Sequence, residues 1–248
     1  MSATFASPVA DAPAQRRSAP LELDQKALER LLAHCRLKRY AKRALLMRPG
    51  DPADVLAYLI RGSLEVCAAD DEGREIILAR VNPGEFVGEL GLFLNTGRRS
   101  VAVRARASSQ VAEISYARLF ELFERDLAAD CPRILFAIGR QISQRLLQSR
   151  RKVSRLASLD VISRIWQTVL DLCAEPDALS HPRGTQIKVS RIELSRMVGC
   201  SREVAGRALK RLQEQGLLVA AGKTVIVFGV KAGVPAPAQL ATRPRAGG

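Results

Sequence analysis

The chain has 248 residues, enough for one large domain or two ordinary ones, and its 47% apolar and 26% charged residues are typical of a folded rather than a disordered protein. Its 39 Lys and Arg residues exceed its 25 Asp and Glu residues, a formal net charge of +14 that favours a polyanionic partner, either nucleic acid or an anionic membrane surface. No stretch has the roughly 18 consecutive apolar residues of a membrane span, which excludes bulk insertion into a membrane.

The cysteines and histidines are too scattered for a local metal site. The five cysteines include no CxxC pair, and His34 and His181 are far apart in the sequence. We therefore expect no metal and, because the N-terminus lacks the apolar core of a secretory signal, reduced thiols in a cytoplasmic protein. A redox switch through Cys35 or Cys200 is a weaker alternative, since isolated cysteines at apolar positions are usually part of the core.

No sequence motif of an enzyme is present. The chain lacks GxSxG and metal-ligand spacing. The tripeptide "GKT" at 222–224 resembles the end of a phosphate-binding loop, but Leu217 stands where that loop needs glycine, and the following "VIVFG" is strand-like. We expect no enzymatic activity and no resident cofactor.

The first predicted domain, 21–130, consists of short strands. Residues 1–20, rich in Ala, Pro and Ser, predict a disordered arm before it. Turn signals such as "RPGD" at 48–51, "DDEG" at 70–73 and "NPGE" at 82–85 then recur about every 11 residues. Apolar stretches such as "VLAYLI" and "VAEISY" fill the intervals. This pattern predicts an antiparallel barrel or sandwich.

A long helix and hinge are predicted at 131–159. One apolar seam runs along it at steps of three or four residues, through Ile134, Ile138, Ile142, Leu146, Ser149, Val153 and Leu156. Such a seam is typical of a helix that pairs with a copy of itself, that packs on its own barrel, or that does both.

The segment 160–230 predicts a winged helix–turn–helix, followed by a flexible tail at 231–248. Asp160 can cap a first helix. Ser190 and Glu193 have the spacing of a capping box, which predicts the start of a second. Gly199 permits a tight turn, and Ser201 can cap a third helix that runs to about residue 215, where a glycine ends it. Strands at 217–219 and 224–228, joined by "AAGK", predict a hairpin wing.

The last of these helices carries a cationic face that suits the DNA major groove. Bidentate pairing of Arg with guanine, and pairing of Glu with the cytosine amine, are base-edge contacts that suit residues at the N-terminus of a helix in the major groove. Lys223, at the tip of the wing, suits a contact with a phosphate. The predicted DNA-binding residues are Arg191, Ser201, Arg202, Glu203, Gly206, Arg207, Lys210 and Lys223.

This order of elements resembles the cyclic AMP receptor protein/FNR family of bacterial transcription regulators across roughly residues 22–229. The resemblance is carried by "GELGLF" at 88–93, "VAEISY" at 111–116, "VGCSRE" at 198–203 and "GKTVIVFG" at 222–229. It is strongest to the cyclic AMP receptor protein and to the Clp-type regulators of xanthomonads. The resemblance implies an α+β fold: an N-terminal cyclic-nucleotide-binding β-roll (a jelly-roll-like barrel), a long dimerisation helix and a C-terminal winged helix–turn–helix.

By this resemblance, cyclic AMP in the roll is the expected effector. Glu89 would accept a hydrogen bond from the ribose 2′-hydroxyl. Arg99 would hold the cyclic phosphate by its charge, and Ser100 would hold it by a hydrogen bond from its hydroxyl. Arg150 replaces a small side chain where the family reads adenine, and it suits a second phosphate, so cyclic di-GMP is the alternative effector. A ligand-independent DNA binder is a further alternative. The expected nucleotide-binding residues are Gly88, Glu89, Arg99, Ser100, Arg145, Ser149 and Arg150.

The resemblance also implies protein partners and an operator. It predicts a homodimer in the bacterial cytoplasm that binds a near-palindromic TGTGA-like operator and activates or represses transcription. Contact with RNA polymerase is implied for Ser180, His181 and Gly184, and for Arg36, Lys38, Glu113 and Arg118.

Overall fold

The computed structural model describes residues 25–94 and 96–235. The predicted arm at 1–20 lies outside the described residues, as does most of the predicted tail at 231–248. After helix α1 (Gln25–Ala33), the N-terminal half is mainly antiparallel sheet. Its strands are β1 (Arg36–Tyr40), β2 (Leu45–Met47), β3 (Val55–Arg61), β4 (Leu64–Ala69), β5 (Glu75–Val81), β6 (Phe86–Val87), β7 (Ala102–Ala105) and β8 (Ser109–Ser115).

These strands form two four-stranded sheets within the described residues, ordered β1-β8-β3-β6 and β2-β7-β4-β5. Leu59, Leu64 and Val111 from the two sheets are fully buried in one core. The predicted short antiparallel strands are therefore confirmed. The jelly-roll-like barrel is not closed, because the pairing stops at the edge strands of each sheet, and the sandwich alternative describes the roll better.

Three helices complete this half, namely α2 (Glu89–Phe93), α3 (Tyr116–Glu124) and α4 (Cys131–Ser158). The predicted seam of α4 divides along its length. Ile134 and Ile138 are fully buried against the roll, whereas Leu146 and Val153 are 62% and 65% exposed. The first turns of α4 thus pack on their own domain, and the later turns present apolar side chains that this chain does not cover.

The C-terminal half contains α5 (Val161–Cys173), β9 (Leu179–His181), β10 (Gly184–Lys188), α6 (Arg191–Val198), α7 (Arg202–Glu214), β11 (Leu218–Ala221) and β12 (Thr224–Phe228). Trp166 of α5 is fully buried in its core. The described wing is a four-stranded sheet, β11-β12-β10-β9, where the sequence predicted only two strands. The strand β11 extends to Ala221, so the hairpin turn is shorter than the predicted "AAGK".

The helix ends follow the predicted local signals. Asp160 accepts a hydrogen bond from the Ser163 backbone N–H at 2.7 Å. Both halves of the capping box between Ser190 and Glu193 are present. Gly199, at a φ of 69°, ends α6 in the left-handed conformation that favours glycine. Caps of this kind each stabilise a helix by about 1 kcal/mol, which explains why the helices begin where the sequence predicts.

The two halves contact each other through polar groups. Helix α6 lies against the edge strand β5, where Arg196 Nη1 is 3.2 Å from Glu75 Oε1. Arg106, just after β7, is 3.4 Å from the capping carboxylate of Glu193. Asn82 donates a hydrogen bond to Glu175 at 2.5 Å. No helix of the described residues has the length and apolarity needed to cross a membrane.

Candidate functional site

Gly88 and Arg99, two of the expected nucleotide-binding residues, lie close together between β6, α2 and the segment before β7, at a place that we call the cradle. Gly88 has a left-handed φ of 88° and precedes α2. A side chain there would bring a Cβ to 2.6 Å from the Val55 carbonyl oxygen and 3.1 Å from Arg99 Nη1. Only glycine satisfies both the conformation and the close approach, so the backbone at this turn stays open towards Arg99.

Arg99 is the positive charge of this cradle. Its Nη2 donates to the Val55 carbonyl at 2.9 Å, and its backbone N–H donates to the Asp51 carbonyl at 2.9 Å. The side chain is half-buried, while the following residue, Ser100, is exposed. A fixed guanidinium beside an accessible hydroxyl and the Gly88 backbone is an arrangement that can hold a phosphate.

Glu89 connects the cradle to the long helix. Its side chain is 5% exposed, and its Oε1 accepts a hydrogen bond from Arg145 Nη1 of α4 at 2.6 Å. Arg145 also donates to the Phe86 carbonyl at 2.9 Å and lies 3.3 Å from Glu85. Burial raises the pKa of Glu85, and the charge of Arg145 opposes that rise without cancelling it. The arginine therefore binds two carboxylates and a backbone carbonyl at the base of the cradle.

Gln141 is a cradle residue that the sequence did not reveal. Its Oε1 accepts from the Phe86 backbone N–H, and its Nε2 donates to the Phe86 carbonyl, both at 2.7 Å. These two hydrogen bonds join the backbone of β6, just before Gly88, to a side chain of α4. In the sequence, Gln141 is only a polar residue between Ile138, which is buried, and Ile142, which is half-buried. Its contact with Phe86 arises from tertiary packing, which the sequence does not show.

Ser149 and Arg150 lie apart from the cradle in this chain. Both are exposed on the uncovered part of α4. Among the described contacts, no hydrogen bond or ion pair joins either residue to Gly88, Glu89 or Arg99. The structure thus groups five of the seven expected nucleotide-binding residues and leaves these two on the helix face that a second chain would have to approach.

The second site is an open groove between α6, α7 and β11, with a volume of about 540 Å³. Arg202 and Glu203 form the first turn of α7 and are exposed. Hydrogen bonds from its own backbone N–H and from Ser201 lower the pKa of the Glu203 carboxyl, which keeps it a charged acceptor. Six of the eight predicted DNA-binding residues line this groove: Arg191, Arg202, Glu203, Gly206, Arg207 and Lys210.

Arg191 lies against α7 at Gly206. A Cβ built on Gly206 would lie 3.6 Å from Arg191 Cδ, which is ordinary van der Waals contact. The first residue of α6 thus adds a cation to the surface of α7. The sequence separation of Arg191 and Gly206 gave no sign of this contact.

The other two predicted DNA-binding residues lie outside the groove. The Ser201 hydroxyl accepts from the Val204 backbone N–H at 3.3 Å and caps α7. Lys223 is exposed in the turn between β11 and β12, and its carbonyl accepts from the Val189 N–H at 2.8 Å. Since strand β12 rather than a helix follows Lys223, the "GKT" segment does not form a phosphate-binding loop.

The residues with an implied polymerase contact fall into two groups. Arg36 and Lys38 are exposed on the edge strand β1, where Arg36 is opposite Glu113 of β8 and Lys38 Nζ is 2.7 Å from Glu113 Oε2. Arg118 lies at the start of α3 and pairs with Glu121 at 2.9 Å. Arg36, Lys38 and Arg118 are exposed at the surface of the roll, whereas the Glu113 side chain is only 13% exposed.

The second group, Ser180, His181 and Gly184, lies together on the β9–β10 hairpin. Gly184 has a φ of 149°, and a Cβ there would lie 2.0 Å from the Val227 carbonyl oxygen. This glycine is thus required by the packing of β10 against β12, whatever the hairpin binds.

One cluster of side chains has the composition of a metal site, but the guanidinium of an arginine already pairs with its carboxylates. Ligand atoms of Glu65, Cys67 and Glu75 lie within 4.8 Å of one another. Arg104 Nη2 is 2.7 Å from Glu65 Oε1 and also pairs with Glu75. Burial raises the pKa of Cys67 to about 12 and that of Cys35 to about 11, so both thiols are protonated near neutral pH. Protonated thiols are poor redox nucleophiles, which disfavours a switch through Cys35.

Comparison with known proteins matches both halves of the chain. The cyclic nucleotide-binding domain family matches residues 37–126, and the Crp-like helix-turn-helix domain family matches residues 163–229. The CRP-like protein Clp of Xanthomonas campestris pv. campestris is 54% identical over 211 residues, which cover 85% of this chain and 92% of that protein. The CRP-like protein Clp of Xanthomonas oryzae pv. oryzae is similar to the same extent.

Solved structures agree. The c-di-GMP-responsive global regulator CLP of Xanthomonas campestris has a TM-score of 0.78 and 54% identity, over 83% of this chain and all of that chain. A CRP-family transcriptional regulator from Thermus thermophilus has a TM-score of 0.64 at 22% identity, over 77% of this chain and 91% of that chain. The second likeness supports the fold alone.

Proposed function

This chain belongs to the CRP family of DNA-binding transcription regulators, and from that premise we propose that it binds a palindromic TGTGA-like operator as a homodimer under the control of a cyclic nucleotide. The observation that carries the proposal is the α6–α7 groove, in which Arg202, Glu203 and Arg207 are exposed together. Two Arg side chains for guanine and a Glu for the cytosine amine match the chemistry of G·C pairs in such a half-site.

The homodimer is supported by the uncovered part of α4. Leu146, Val153 and Leu156 are each more than half exposed, and with Ser149 they follow the alternating spacing of three and four residues of a coiled-coil seam. A second copy of this chain fits this surface, because its α4 helix carries the same seam. In such a dimer, two α7 helices would enter successive major grooves about 34 Å apart, which requires a near-palindromic operator.

Cyclic AMP is the proposed effector. The fixed Arg99, the accessible Ser100 and the open backbone at Gly88 supply a charge, a hydroxyl and backbone groups for one cyclic phosphate. The buried Glu89 is bonded to Arg145, so a ligand that contacts this carboxylate would also act on α4. Binding to one arrangement of the two halves in preference to another would change the population that binds DNA.

Cyclic di-GMP is the second candidate effector. A relative that is 54% identical is described as c-di-GMP responsive. In this chain Arg150 is an exposed cation on the dimerisation face and suits the second phosphate that cyclic AMP lacks. The proposal also includes a contact with RNA polymerase through the residues on β1, β8, α3 and the β9–β10 hairpin. It further includes a location in the bacterial cytoplasm and the absence of catalytic activity.

Operator binding is tested by titrating the protein onto a fluorescently labelled TGTGA-N6-TCACA duplex at fixed salt. Fixed salt is essential because phosphate contacts make DNA affinity steeply salt-dependent. We expect Arg202→Ala to weaken operator binding by about 1–3 kcal/mol while binding to unrelated DNA changes less. The matched control is Arg211→Ala, which removes an exposed cation from α7 outside the groove. Equal losses for both variants would mean that α7 contributes only charge.

The same titration identifies the effector. Tighter binding with cyclic AMP alone supports the cradle as its site, and an Arg99→Gln variant should then lose the response. A response to cyclic di-GMP alone, abolished by Arg150→Ser, would replace the proposed effector. Affinity that is constant whatever nucleotide is present would leave a ligand-independent DNA-binding protein.

A further inference from the structure

Tyr116 stands behind the cradle, at the junction of β8 and α3. Its hydroxyl donates a hydrogen bond to the carbonyl oxygen of Gly88, the residue at the turn into α2. The same hydroxyl interacts with the guanidinium of Arg99. One phenol oxygen therefore hydrogen-bonds the backbone turn and lies close enough to the cation of the cradle to interact with it, a position that the motif "VAEISY" did not reveal.

The chain leaves space for this phenol. A Cβ on Gly91 would come within 2.6 Å of the Tyr116 hydroxyl oxygen and 2.9 Å of the Ala53 carbonyl. Gly91 has an ordinary helical conformation, so its φ does not require glycine. The close approach of the phenol and of the Ala53 backbone is what excludes a side chain from this turn of α2.

The hydroxyl stays protonated in this setting. Burial raises the pKa of Tyr116, and the nearby positive charge of Arg99 lowers it by less. The backbone N–H of Tyr116 donates to the Asp54 carbonyl at 2.8 Å, which fixes the start of the side chain. Tyr116 is thus a fixed donor aimed at a carbonyl oxygen beside a left-handed turn.

We propose that Tyr116 is a positioning residue of the nucleotide site, which holds the Gly88 carbonyl and the Arg99 guanidinium in the arrangement that receives the ligand. This inference rests on the proposed function in that it takes the cradle to be the nucleotide site. Tyr116 acts through Gly88 and Arg99. With the Gly88 carbonyl held by Tyr116, the Gly88–Glu89 backbone keeps its turn and Arg99 keeps its bond to the Val55 carbonyl.

The test compares Tyr116→Phe with Tyr40→Phe in the full chain. Both substitutions remove one half-buried phenol hydroxyl from the roll, and Tyr40 donates to Glu113 on β8 rather than to the cradle. The first measurement is amide hydrogen exchange across 86–94 without nucleotide. The second is the Kd of cyclic AMP by calorimetry. We expect Tyr116→Phe to speed exchange in α2 and to raise the Kd roughly tenfold, the effect of one lost hydrogen bond, whereas Tyr40→Phe changes neither.

A double-mutant cycle with Arg99→Lys separates positioning from general weakening of the fold. If Tyr116 acts through Arg99, the loss caused by Tyr116→Phe should shrink to less than about threefold in the Arg99→Lys background. The same tenfold loss in both backgrounds would overturn a role through Arg99. Equal Kd values and equal exchange in Tyr116→Phe and Tyr40→Phe would overturn the proposal as a whole.

Failure of the proposed function gives a different result. If the unmodified protein binds no cyclic AMP, the effector is wrong. The exchange measurement, which needs no ligand, then decides by itself whether Tyr116 holds the Gly88 turn: unchanged exchange overturns the inference, and faster exchange confined to α2 supports it.

Discussion

Replacement of Gly206 by alanine separates stability from DNA recognition in the α6–α7 unit. Gly206 lies in the interior of α7, where glycine destabilises a helix by roughly 0.5–1 kcal/mol relative to alanine. A Cβ at this position would meet Arg191 Cδ at 3.6 Å, without a clash. Gly206→Ala should therefore raise the free energy of unfolding by about 0.5–1 kcal/mol, and the melting temperature by a few degrees.

The same methyl group should weaken operator binding. It would stand in the groove between Arg191 and the exposed first turns of α7, on the surface by which α7 would approach the bases. If it prevents one bidentate contact from forming, the loss is about 1–3 kcal/mol, or roughly five- to more than a hundredfold in affinity. Binding to unrelated DNA depends mainly on phosphate contacts, so it should change little.

Urea unfolding measures the first effect, and fluorescence anisotropy with operator and unrelated duplexes at one salt concentration measures the second. Gln215→Ala is the matched control, because it changes a neutral residue at the end of α7 outside the groove. A Gly206→Ala protein that binds the operator as tightly as the unmodified protein would refute the assignment of this groove to DNA. A fall in stability would refute the inference that the space beside Arg191 accepts a methyl group.

Three further changes test other parts of the structure. Ser190→Ala removes half of the capping box and should cost about 0.5–2 kcal/mol of stability in urea unfolding. Leu146→Glu places a charge on the uncovered seam of α4 and should give monomers by light scattering, whereas Gln148→Glu, on another face of the helix, should not. Burial opposes the ionisation of Glu193, but the Ser190 hydrogen bonds and the charge of Arg106 outweigh it and lower its pKa below the ordinary value of 4.5. Its contribution to stability should be complete above that value and lost as the pH falls through the lower folded-state pKa, and Glu193→Gln should remove this dependence in unfolding at pH 7 and pH 3.

Local signals predicted the helix ends well. A cap needs only a hydroxyl or carboxylate and a backbone N–H two or three residues later, so Asp160, Ser190 and Ser201 were readable without any tertiary information. The turns between the strands of the roll were readable for a similar reason. Gly184 shows the limit, since its need for glycine comes from a carbonyl 43 residues further along the chain, at Val227.

Features that depend on distant contacts were missed or incomplete. The strands β9 and β10 are short and separated by "PR", so their apolar alternation is too brief to predict a strand. They become evident only from the structure, in which β10 pairs with β12. In the cradle, Gln141 and Tyr116 hydrogen-bond the Phe86 and Gly88 backbone, and the motifs that contain Gly88 and Tyr116 did not reveal these contacts. The roles expected of Ser149 and Arg150 stay predictions, because one chain does not bring them to the cradle.

The polar contact between the halves bears on how the proposed effector could influence DNA binding. From the cradle, Glu89 is bonded to Arg145 of α4, and across the domain contact Glu75 and Glu193 meet Arg196 and Arg106. The Arg196 and Glu75 side chains are 38% and 32% exposed, and an ion pair of this kind contributes only about 0–1 kcal/mol. An effector needs to distinguish two arrangements by only about 1–3 kcal/mol to change their ratio 5- to 150-fold. An apolar interface would hold one arrangement more firmly and respond less, so the polar character of the β5–α6 contact suits the effector control that we propose.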